Sequence, residues 1–202
     1  MHLTLTIPEP GPPRLSARAM DNLEFIRDTM ERAGSFTAVP GIGMVAIGIS
    51  AVVAAALVQV LPGDPRWIAV WIAEAALSVA IMFLAIATKA RRSGMSLVST
   101  PSRKFALSFA PPLVVGAILT LVLIRAGVPH ILPGTWLLLY GTGVITGGAF
   151  SVRIVPIMGL CFLATGLVAL IAPIAWTNYV LAGAFGGLHI VFGIQIARRH
   201  GG

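Results

Sequence analysis

Two titratable side chains stand inside stretches of sequence that are otherwise apolar, and any chemistry this chain performs should run through them. Glu74 interrupts the run from Trp67 to Thr88, and His189 lies near the middle of the run from Tyr179 to Ala197. A carboxyl group surrounded by hydrocarbon is costly and normally faces a cavity or a partner. Helical spacing places Trp67, Trp71 and Ser78 on the face of Glu74, which gives a carboxylate flanked by two indoles. Such a group either binds a cation through its charge and the ring faces or takes up a proton. The competing expectation is structural. Arg125, at the outer end of the next apolar run, has a side chain long enough to reach down and form a salt bridge with Glu74.

His189 has Phe185, Gly186, Phe192 and Gly193 around its face. A neutral imidazole hydrogen-bonded to Tyr140, Thr142 or a backbone carbonyl is expected there. A haem would prefer a second axial ligand; His130 falls in a loop, which leaves only Met44, Met82 or Met158. No cofactor is therefore expected. Counted back from Ala90 and Ala197, Glu74 and His189 differ in depth by about 12 Å at 1.5 Å per helical residue, so the two should not touch.

Other chemistries lack their reagents. Both lysines, Lys89 and Lys104, fall in one loop, so no apolar run can hold a retinal Schiff base. There is no His-Glu-x-x-His and no pair of intramembrane aspartates. Gly48-Ile49-Ser50-Ala51 offers a serine that His189 could activate, but small residues in such a run are explained by helix packing. Cys161 is the lone cysteine, which excludes an intramolecular disulfide and a cysteine metal centre. No metal is expected, and the chain reads as non-enzymatic.

The elements that position these groups follow from composition. Of 202 residues 57% are hydrophobic and 10% charged, whereas a soluble domain is about 25% charged. A membrane helix needs roughly 20 apolar residues. Six stretches approach this: Phe36 to Pro62, Trp67 to Thr88, Phe105 to Ile124, Ile131 to Phe150, Ile154 to Trp176 and Tyr179 to Ala197. None shows the alternation of a barrel strand. The expected fold is all-α, a polytopic bundle of six transmembrane helices in three hairpins, 36–94, 103–153 and 154–201.

Positive residues that flank spans stay in the cytoplasm. With both termini inside, the cytoplasmic set is Arg14, Arg18, Arg27, Arg32, Lys89, Arg91, Arg92, Arg103, Lys104, Arg153, Arg198 and Arg199, against Arg66 and Arg125 outside. The net charge of +7 is thus explained without nucleic acid. Ahead of the first span, residues 1–15 hold four prolines and are expected to be mobile. Residues 16–34 read as a cytoplasmic interfacial helix capped by Ser16 and stopped by Gly34, with Met20, Leu23, Ile26, Met30 and Ala33 drawing one apolar stripe. Asp21, Glu24, Asp28 and Glu31 lie opposite with Arg18, Arg27 and Arg32. Such a helix either packs on the protein's own cytoplasmic face or docks a cytoplasmic partner.

Gly143 and Gly147, and Gly183 and Gly187, have the Gly-x-x-x-Gly spacing that lets helices approach closely. Contacts inside the bundle are expected for both pairs, with an oligomer contact as the alternative. Pro111 and Pro112 should bend the third span. Val39-Pro40 followed by Gly43, and Val155-Pro156 followed by Gly159, open the first and third hairpins alike. Either a duplication or the general similarity of apolar helices accounts for this.

The strings from Ala33 to Pro40, from Gly147 to Arg153 and from Gly187 to Gly193 resemble an uncharacterised group of bacterial six-span membrane proteins. The three-hairpin layout is also similar to the small acid-resistance membrane protein family. These resemblances imply a bacterial inner-membrane protein and carry over no catalytic or binding residue. Two functions stand as expectations: a membrane-embedded sensor or accessory protein, and a small transporter or channel for protons or a cationic solute using Glu74.

Overall fold

Amides and carbonyls in long apolar runs must be satisfied within the segment, and a helix does this residue by residue. The computed structural model describes residues 15–33, 39–60, 64–92 and 100–200, and in these every regular element is helical. The leading prolines, the Gly34 stop and residues 93–99 of the loop between Lys89 and Lys104 lie outside the described residues. The chain divides into two compact units, Met1–Gly34 and Ser35–Gly202.

The first unit carries α1 (Leu15–Ala33), which starts one residue ahead of the Ser16 cap expected. Of its expected apolar stripe, Met20, Leu23, Ile26 and Met30 are all exposed, as is Phe25.

The second unit contains α2 (Gly41–Val60), α3 (Asp64–Arg92), α4 (Thr100–Arg125), α5 (Leu132–Gly148), α6 (Ile154–Ile171), α7 (Thr177–Leu181) and α8 (His189–His200). A π-helical segment, Ala182–Leu188, joins α7 to α8. Among the described residues five stretches are long and apolar enough to cross a bilayer: Gly41–Val60, Arg66–Arg91, Ser102–Arg125, Ile154–Ile171 and Ile174–Arg199. Together they mark a multi-pass membrane protein. The expected fourth run yields a helix of 17 residues, α5, which Pro133 opens directly after a 3-10 turn at Pro129–Ile131. The fifth run ends at Ile171, short of the expected Trp176, because Pro173 holds the preceding Ala172 extended at ψ 152°. α4 continues through Pro111 and Pro112.

Contacts order the helices as a row: α3, α2, the α7–α8 stretch, α6, α5 and α4. Two seams within it are built on glycines seven residues apart, a spacing that keeps one face in register along a left-handed crossing. Gly41 and Gly48 of α2 meet Gly186 and Gly193, so closely that a Cβ on Gly48 would stand 2.7 Å from the Gly186 carbonyl oxygen. Gly134 and Gly141 of α5 meet α6 around Gly166 and Gly159, and a Cβ on Gly141 would stand 2.9 Å from the Gly159 oxygen. The expected Gly143 and Gly147 pair is internal as well, against Phe105 and Phe109 of α4. For Gly183 and Gly187 the expectation of a bundle contact is overturned, since neither has an atom within 4 Å of a built Cβ. They lie on the π segment facing away from the α2 seam, which Gly186 serves instead.

The same contacts gather most of the cationic residues at one end of the bundle. Lys89 Nζ donates to the Val39 carbonyl at 3.1 Å, and Gly41 abuts Ala197. Lys104 Nζ stands 5.9 Å from the Phe150 ring centroid. The N-termini of α2 and α4 therefore share their ends with the C-termini of α3, α8 and α5, where Arg91, Arg103, Arg153, Arg198 and Arg199 also lie. Arg66 and Arg125 sit at the opposite helix ends.

Candidate functional site

The candidate site lies between α2 and α3. Glu74 is only 7% exposed, and a buried carboxyl must be satisfied or neutralised. Its Oε1 accepts two hydrogen bonds, from Ser78 Oγ one turn along α3 and from Ser50 Oγ across the interface, each 2.8 Å. Ser50 Oγ is also 2.9 Å from the Ile47 carbonyl of its own helix. The expected face is therefore partly assembled: Ser78 bonds Glu74 directly, and Trp71, 4% exposed, is buried one turn before it. Trp67 turns to Trp136 of α5, with ring centroids 5.9 Å apart. Arg125 is exposed at the end of α4, and the side-chain bonds to Glu74 come from the two serines. The salt-bridge expectation is thus replaced by hydroxyl donors, which supply dipoles but no compensating positive charge.

His189 is 2% exposed, and the atoms around it determine its tautomer. Nδ1 lies 2.9 Å from the Phe185 carbonyl oxygen, which can only accept, so Nδ1 carries the hydrogen. Nε2 of the neutral ring is then the acceptor, and the Tyr140 hydroxyl donates to it at 2.7 Å. Of the partners expected, Tyr140 and a backbone carbonyl are the ones supplied; Thr142 donates to Leu138 within its own helix. The accepting carbonyl lies four residues back, in the π segment Ala182–Leu188. Around the pair the Tyr140 ring packs edge-on to Phe162 at 4.7 Å, Phe185 at 5.4 Å and Phe109 at 5.9 Å. Trp71 reaches this cluster through Phe185 at 6.1 Å.

Glu74 and His189 do not differ in depth as expected. Glu74 bonds Ser50, while Gly48, two residues away on α2, abuts Gly186 and Ile190 on either side of His189. Both therefore register against the Gly48–Ser50 turn. The count failed because it took Ala90 and Ala197 as equal depths, whereas Gly41 meets Ala197 and Gly43, two residues further along α2, meets Ala85. Ser50 and His189, the pair a serine hydrolase would couple, are each bonded elsewhere.

No family model, curated protein or solved structure matches the chain. The site is accordingly read from its own geometry.

Sequence reasoning missed three participants. Ser50 was set aside as a packing residue, yet it carries the α2 half of the carboxyl site. Asn178 opens the last helical stretch and donates from Nδ2 to the Ala55 carbonyl at 2.8 Å. Thr120 accepts from Trp136 Nε1 at 2.8 Å while donating to the Gly116 carbonyl at 2.7 Å. For Ser50 and Thr120 the available signal was a polar residue inside an apolar run; Asn178 falls between two runs.

Proposed function

We propose that this chain is a non-enzymatic, six-span protein of a bacterial inner membrane that moves protons or a cationic solute by binding them at Glu74. The observation that carries the reading is the pair of hydrogen bonds that Ser50 and Ser78 donate to one oxygen of the buried Glu74 carboxyl. Two hydroxyls stabilise negative charge there, and among the described residues no arginine or lysine bonds the carboxyl, so a proton or a cation completes the site. α5 is the sixth span in this reading. It lies antiparallel along α6 from Gly134 beside Leu170 to Gly148 beside Val155, and 17 residues is the lower limit for crossing. Both termini are cytoplasmic, in keeping with the cationic residues collected at one end of the bundle. The reading is tested in proteoliposomes. Glu74→Gln should abolish pH-driven proton or cation flux, and unaltered flux would remove Glu74 from the mechanism.

A second reading, a membrane-embedded sensor or accessory protein acting through residues 16–34, is favoured by the exposure of Met20, Leu23, Ile26 and Met30. Deleting residues 1–34 should then strip a cytoplasmic partner from the purified protein while leaving flux intact.

A further inference from the structure

Two buried polar atoms on helices packed against α2 have no hydrogen-bond partner among the described residues: Trp71 Nε1 and Asn178 Oδ1. Buried polar atoms without a protein partner are rare, and such atoms are commonly satisfied by an internal water or an ion. These two are also complementary, since the indole N–H can only donate and the amide oxygen can only accept. Their positions along α2 line up with Glu74. Asn178 is tied to Ala55 of α2, Glu74 is tied to Ser50, and Trp71 lies one turn of α3 from Glu74 towards the α7 end. The segment of α2 from Ala55 to Ser50 is about 7.5 Å long, a length that two or three waters cover. Both serine hydroxyls occupy Oε1, so Oε2 is outside those two bonds.

We infer that a short file of internal waters runs beside α2 from Asn178 past Trp71 to Glu74, and that it gives protons access to the carboxyl from the α7 end of the bundle. A water that accepts from the Trp71 N–H and donates to the Asn178 oxygen satisfies both orphans at once. The inference rests on Glu74 being the proton site and names the proton as what that site takes, with the side from which it comes. Asn178 and Trp71 are positioning residues here, acting through the water they hold.

The test is hydrogen–deuterium exchange of the indole N–H groups in the full chain in liposomes, read by NMR with nitrogen-labelled tryptophan. The Trp71 signal is assigned by its loss in Trp71→Phe. Trp71 should exchange readily, and Asn178→Leu or the milder Asn178→Ala should slow it by about tenfold or more. Trp136, whose indole is bonded to Thr120, should stay slow in every variant and so reports on folding. A Trp71 signal as protected as that of Trp136 in the unmodified protein, or one indifferent to both Asn178 variants, overturns the water file. Flux by Glu74→Gln decides the underlying reading separately: flux lost with a dry Trp71 rejects only the file, whereas a hydrated Trp71 with unaltered flux rejects proton delivery to Glu74.

Discussion

Ser50 of α2 donates to Glu74 of α3 at 2.8 Å, and the same carboxyl oxygen receives Ser78 of its own helix. That convergence makes the α2–α3 interface depend on a polar contact in otherwise apolar surroundings. Ser50→Ala removes one donor to a buried carboxyl and should destabilise the bundle by about 1–3 kcal/mol, with flux reduced. Thermal unfolding in detergent beside a proteoliposome assay reads both. An unchanged midpoint with full flux would show that the bond is dispensable.

Tyr140→Phe leaves the His189 Nε2 acceptor buried without its donor. The expected loss is about 1–3 kcal/mol. Because the two residues contact directly, a cycle with His189→Leu should give a coupling energy of about 0.5–3 kcal/mol. Additive effects would mean that the pair does not act as a unit.

The glycine seams make a contrast within one residue type. Gly48→Val and Gly141→Val drive a side chain into the facing backbone and should abolish a stable, monodisperse preparation. Gly183→Ala and Gly187→Ala, with open space around them, should shift stability by no more than about 0.5 kcal/mol. Size-exclusion profiles and unfolding midpoints of the four variants decide the matter, and a damaging Gly183→Ala would point to a contact made outside the single chain.

Topology is checked by cysteine labelling on a Cys161→Ala background. With α5 crossing the membrane, Gly127→Cys between α4 and α5 should react with an impermeant maleimide from outside intact cells. Arg153→Cys between α5 and α6 should react only after permeabilisation. Reaction of both from the same side would mean that α5 does not cross.

What the sequence determined by itself was what the length and period of a single helix set. Runs of apolar residues make helices because backbone polar groups must be satisfied within each segment, and proline positions trim their ends. Ser78 and Trp71 could be placed on the face of Glu74 because one helix has a known period. The seven-residue glycine seams were also legible, at Gly41 and Gly48 and at Gly134 and Gly141, although attention to the shorter Gly-x-x-x-Gly spacing hid them and misassigned Gly183 and Gly187. Tertiary structure alone decided which helix faces which. That choice brought Ser50 to Glu74 in place of Arg125, Tyr140 to His189 in place of Thr142, and Glu74 and His189 to one turn of α2. The reason is physical: helix periodicity defines the face a residue occupies, whereas axial register between helices is fixed by close backbone approach at glycines, which is not a property of any single run.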